Sequence, residues 1–156
     1  MSESPRPYTL TDTWHLNNRV NLKLLDALTE EQLAVKPNPR ARNIAEQITH
    51  LHAVRISWLE AMEPNVTKDL AKIEKGASKT EIKRGLEKSA EALGQVFAAA
   101  EQKGTLKAFK RGPVAFLGYI LAHEASHRGQ ILLHLKYAGK PADRTLGYDL
   151  WEWDKI

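Results

Sequence analysis

The sequence predicts an all-α fold, a four-helix bundle spanning residues 1–156 as a single domain. Three observations carry this. Four long stretches place apolar residues at helical spacing, each bounded by capping residues, glycine or proline. No stretch alternates apolar and polar residues as a strand would. The chain has 156 residues, 42% hydrophobic and 27% charged, the composition and length of one globular domain.

The first helix starts near Thr9 or Thr11, either of which can cap it, and runs to Leu28 with Trp14, Val20, Leu24 and Leu28 as its stripe. Thr29 and the Glu30-Glu31-Gln32 that follow read as a capping box opening a short turn, which Lys36-Pro37 closes. Asn43 with Glu46 opens the second long helix, which ends before Pro64. Its inward face is Ile44, Ile48, Leu51, Val54 and Trp58, with Arg55 almost in the middle of it. A cation there needs a carboxylate such as Glu124, an anionic ligand, or a route to solvent.

Residues 63–77 carry Pro64, Gly76 and several lysines and read as a long surface connection. Ser78 and Glu81 cap the third long helix, whose Ile82, Leu86, Ser89, Leu93, Val96 or Phe97, and Ala100 recur at bundle spacing until Gly104. Gly112-Pro113 starts the fourth, and Gly139 followed by Pro141 stops it. The aromatic tail, with Trp151 and Trp153, is expected to lie extended over the bundle or against a partner chain.

The composition also narrows function. The absence of cysteine removes disulfides, thiolate nucleophiles and cysteine-based zinc sites, so any metal must be held by histidine and carboxylate. A net charge of +4 invites a nucleic-acid reading, but the basic residues are scattered, and Lys79, Lys83, Arg84 and Lys88 are interleaved with Glu81, Glu87 and Glu91 on one helix face. The opening segment has no signal-peptide pattern, and no apolar run is long enough for a bilayer, which gives the expectation of a cytoplasmic protein with no membrane partner.

The fourth helix concentrates the chemistry. At about 100° per residue, His123, His127 and His134 fall within roughly 40° of one another. Phe116, Ile120, Ile131 and Ala138 lie on or beside the same arc, with Ser126 and Arg128 pointing elsewhere, so the histidines are expected on the core-facing side. Histidines four residues apart can grip one metal ion, and a third ligand has to come from another helix. His134 lies about 10 Å further along the axis, too far to share that ion, and reads as a core or interface histidine. On the second helix His50 and His52 sit on opposite flanks, about 80 to 120° from the stripe's centre, and periodicity does not choose between them. His15 reads as a surface or partner-bonded residue.

HEASH also matches the HExxH pattern of zinc peptidases, where Glu124 would activate water, although the sheet expected before such a helix is missing. A different resemblance covers nearly the whole chain. NIAEQITHLHAVRISWLE followed much later by HEASHRGQILLHLKYAGK resembles the DinB/YfiT-like family of metal-binding four-helix bundles. The resemblance implies a metal site of His50, His123 and His127, with His50 matching the family's second-helix histidine and His52 having no counterpart. It further implies a homodimer and relatives that are thiol S-transferases or thiol-dependent isomerases; for the divalent ion, zinc and nickel both suit nitrogen ligands. The expected function is thus a metal-dependent enzyme on a small molecule, of thiol S-transferase or hydrolase type, with a non-catalytic metal-binding or stress-response protein as the alternative.

Overall fold

Four of the helices begin where a side chain satisfies an unpaired amide. In the computed structural model, which describes residues 6–156, Thr9 accepts from the Asp12 amide and Asp12 in turn accepts from the Thr9 amide, which opens α1 (Leu10–Ala27). Thr29 with Gln32 does the same for the single turn of α2 (Glu30–Leu33), and Asn43 with Glu46 for α3 (Ile44–Met62). Ser78 with Glu81 opens α4 (Lys79–Lys103), which Gly104 ends at φ 71°. Pro113 sits in the first turn of α5 (Gly112–Tyr137), and Gly139 stops it at φ 70°. Met1–Pro5, part of the segment searched for a leader, lie outside the described residues.

The four long helices form the bundle, with α1 and α3 each packed against both α4 and α5. No strand occurs among the described residues, and none of their helices is long and apolar enough to cross a membrane. The α1 and α4 stripes are buried as the spacing predicts. The α3 face is rotated from its expected centre: Leu51, Arg55, Ile56, Leu59 and Met62 are buried, while Val54 and Trp58 are half-buried.

The apolar core falls into two clusters. One gathers Leu24, Leu28, Ile48, Leu51, Leu86, Ile131 and Leu135, and the other Trp14, Leu59, Leu93, Phe97, Phe116 and Ile120. Between them, in sequence position on all four helices, stand the buried polar residues Asn17, Asn18, Asn21, Arg55, Ser89, Glu124 and Arg128.

The tail departs from expectation. Instead of lying extended it forms α6 (Leu146–Asp149) and a 3-10 turn, with Leu146 and Leu150 buried in the first cluster. Tail residues Leu146 and Leu150 are one turn apart, so a helical turn delivers both to the core while Trp151 stays exposed.

Candidate metal centre

Where α3 and α5 run side by side, three imidazoles meet. The ring centroid of His123 lies 4.7 Å from that of His127, and the His50 ring is 5.0 Å from His127 and 5.7 Å from His123. One ligand nitrogen from each of the three falls within 4.8 Å of the others. The second-helix candidate His50 therefore stands beside the α5 pair, on the flank of α3 that faces α5.

The α5 pair has the tighter geometry. His127 Nε2 lies 3.2 Å from His123 Nε2. Two nitrogens bound about 2.1 Å from one ion, at angles between those of an octahedron and a tetrahedron, are about 3.0 to 3.4 Å apart. Two neutral imidazoles that turn their Nε2 lone pairs on each other repel unless a proton or a cation lies between them. The Nδ1 atoms of both rings are buried without a hydrogen-bond partner, so the Nε2 sides are where these rings can find one.

The electrostatics favour the neutral, ligand-competent form. Burial pushes the His127 imidazole down to about 4, reinforced by its neighbours His123 and His50 and by Arg42, with Glu124 pulling weakly the other way. Burial also lowers His50, again with the charge of Arg42 and then His123 behind it. Both rings carry free lone pairs at neutral pH, the state that metal binding requires.

The histidines do not lie on the centre of the buried face of α5, as the wheel predicted. That face is Phe116, Leu117, Ile120, Glu124, Arg128, Ile131 and Leu135, which sets His123 and His127 about 60 to 100° to one side, half-buried. Ala138 is exposed, and Arg128, expected to point away, is turned inward. The reason is the polar layer: the apolar residues of α5 repeat around Glu124 and Arg128, which are charged and so were not counted as core.

Glu124 is the centre of that layer. It accepts from Arg55 Nε at 2.7 Å and Nη2 at 3.0 Å, and from the side-chain amides of Asn17 at 2.6 Å and Asn21 at 2.7 Å. Arg55 Nη1 also donates to Asn18, to the Leu86 carbonyl and to Ser89, and its guanidinium lies 4.7 Å over the Trp14 ring. Arg128 Nη1 donates to the Asn17 and Asn21 carbonyls, closing the circuit. Burial by itself would raise the Glu124 carboxyl, but Arg55 and the two asparagine amides outweigh it and hold the group below its ordinary value. Of the two fates the sequence left for Arg55, pairing with Glu124 is the one realised. Asn17, Asn18 and Asn21 were missed: Asn17 and Asn21 fall at helical spacing within the apolar stripe itself, between Trp14 and Leu24, and that was the signal.

The remaining histidines have other partners. His52 is buried on the opposite flank of α3, its Nε2 2.9 Å from the Ala71 carbonyl, which leaves His50 facing α5 alone on this helix. His134 Nδ1 lies 3.2 Å from Gln47 Nε2, a half-buried contact between α5 and α3. His15 rests on α4, where a Cβ on Gly94 would come within 2.5 Å of its Nε2.

The profile of the DinB superfamily matches residues 13–131, a span that contains all three clustered histidines and the polar layer. The chain belongs to the DinB superfamily. Among solved structures, a DinB-like protein from Bacillus subtilis, YjoA, superposes with a TM-score of 0.59 at 17% identity, over 83% of this chain and 92% of that one. The two share a fold. No curated protein matches the chain.

In this DinB-superfamily chain the three-histidine group could hold a metal ion. The donor set suits one: three imidazoles, no competing thiolate, and a pair of Nε2 atoms already at the separation one ion imposes.

Proposed function

We propose that the chain binds a divalent cation, zinc or nickel, through His50, His123 and His127, and that it is a metal-dependent enzyme acting on a small molecule. The observation that carries the reading is the 3.2 Å Nε2–Nε2 approach of His123 and His127 with His50 beside them. His50, His123 and His127 would hold such an ion without neutralising its charge, and it would supply the lowering of the pKa of a thiol or water that reached it.

The chemistry we favour is thiol transfer. A low-molecular-weight thiol gives up its proton to solvent and its sulfur displaces a leaving group from an electrophilic carbon, the leaving group departing with the bonding pair. The residues of the chain have defined parts in this. His50 lines the cavity beside the cluster, while His123 and His127 stand one turn apart on α5, all three half-buried. The absence of cysteine means that no protein thiol competes for the ion. Hydrolysis in the HExxH manner is disfavoured on geometry, because Glu124 is buried in the polar layer with its carboxylate engaged by Arg55, Asn17 and Asn21.

A non-catalytic role is the second reading, and one observation favours it: the cluster bridges α3 and α5, so an ion there would cross-link the bundle. We also propose the homodimer that the family resemblance implies.

Elemental analysis after metal loading and dialysis tests the site. About one ion per chain is expected for the wild type and a large loss for His50→Ala. Equal retention by the two proteins would remove His50 from the ligand set. Turnover of a panel of thiols and electrophiles by the metal-loaded wild type, lost on chelation, separates the enzyme from the structural site.

A further inference from the structure

His50 is also a wall of a cleft. A cavity of about 590 Å³ opens beside it, between the connector that precedes α3 and the segment that precedes α4. That volume suits a small molecule and not a folded partner. Its lining is unusually charged, with Lys36, Arg40, Arg42 and Lys75 facing Glu46 and Glu74.

The charges do not cancel. Glu46 accepts from the Asn43 amide at 2.8 Å as part of the α3 cap and is paired with Lys75 at 3.4 Å. This leaves Lys36, Arg40 and Arg42 against Glu74, and none of the three cations has an ion-pair partner among the described residues. Like charges gathered on one wall repel, and the arrangement is stabilised only when an anion joins them.

The backbone that carries Arg40 and Arg42 is braced, and their side chains are exposed. Pro37 and Pro39 stiffen the connector, Asn38 Oδ1 accepts from the Arg40 amide at 3.0 Å, the Asn38 carbonyl accepts from the Ala41 amide at 3.1 Å, and the Ile44 amide closes the loop on the Val35 carbonyl at 3.0 Å. The braced loop presents two guanidiniums whose forked donors match a carboxylate or phosphoryl group. Arg40, Arg42 and His50 line the same cavity, so the anion's end of the cleft and the histidine end are one continuous site.

We propose that this cleft binds the anionic end of the substrate, a small molecule bearing a carboxylate or phosphoryl group that docks on Lys36, Arg40 and Arg42 while its reacting end lies at His50. The inference rests on the metal reading above for what happens at His50, and on the cleft alone for the anion. Arg40 and Arg42 thus set specificity, and neutral molecules of equal size are poor ligands.

The test is calorimetric titration of the full chain, metal-loaded and metal-free, with succinate, inorganic phosphate and neutral succinamide, alongside elemental analysis of each sample. The wild type is expected to bind an anion and not succinamide, with the affinity falling about tenfold or more in Arg40→Gln/Arg42→Gln, whose far-UV spectrum stays that of the wild type. Comparing succinate with phosphate tells a carboxylate site from a phosphoryl site. Absence of anion binding, equal binding of succinamide, or an unchanged affinity in the double variant overturns the proposal. Metal content is read separately: a wild type that retains no ion yet prefers anions would sink the metal assignment and leave the cleft standing. A metal-loaded wild type without that preference would do the reverse.

Discussion

At the scale of single residues, the decisive atom pair is Arg55–Glu124. Both side chains are fully buried, so the pair's net contribution to stability is small, but removal of one member leaves the other charged and dry. Glu124→Gln is expected to destabilise the protein by about 3 to 5 kcal/mol, since Arg55 and Arg128 would then share a pocket with no anion. Urea denaturation measures this; a loss below about 1 kcal/mol would show that water reaches the layer. The histidines make a separate claim. The His127 imidazole is held near 4 in the folded protein against an ordinary 6.5, so between those values the unfolded chain takes up the proton first. Stability of the metal-free protein is whole above about 6.5 and is lost progressively as pH falls towards 4. His127→Asn should show a shallower loss between pH 7 and pH 5 than the wild type, and equal slopes would mean that His127 is not held neutral.

At the scale of elements, what could be read from the sequence was what depends on neighbours in the chain. Thr9, Thr29, Asn43 and Ser78 each accept from an amide three residues on; the last three starts were legible from a tetrapeptide each, and the first only as Thr9 or Thr11. The stop glycines at 104 and 139 were legible for the same reason. What depends on a facing helix was not. The wheel put His50 and His52 on equal flanks, and only the packing of α3 between α5 and the 70–77 segment separates them; the family resemblance favoured His50 where periodicity was silent. Helical spacing alone turns Arg128 outward, because its partners Asn17 and Asn21 belong to α1, over a hundred residues away. The cap of α3 also carries a prediction. Asn43→Ala should cost about 1 kcal/mol while leaving metal affinity nearly unchanged, because His50 lies almost two turns further on. Chelation should act on the pairing of α3 with α5 instead. Against protein saturated a thousandfold above the dissociation constant, removal of the ion is expected to lower Tm by on the order of 10 °C. An unchanged Tm would mean that no ion joins the two helices.

At the scale of the whole molecule, α5 has more apolar surface than one bundle can cover. Its inner face buries Phe116, Ile120, Ile131 and Leu135, yet Val114, Leu133 and Tyr137 remain exposed, and the tail adds exposed Tyr148 and Trp151. A helix that is apolar on both faces is normally covered on both. Beside Trp151 a shallow cavity of about 270 Å³ runs along Leu121, Ala125 and Leu132 of α5, a surface that a second copy could fill. The proposed homodimer therefore leads us to expect light scattering to give twice the mass of one chain, and Leu133→Glu with Trp151→Glu to shift it towards one without loss of helicity. A wild type that stays monomeric at high micromolar concentration would end the dimer proposal. The metal reading is independent of that outcome: His50, His123 and His127 all come from one chain, so the monomeric variant should still retain one ion per chain. Loss of the ion together with the dimer would place an unrecognised ligand on the second copy.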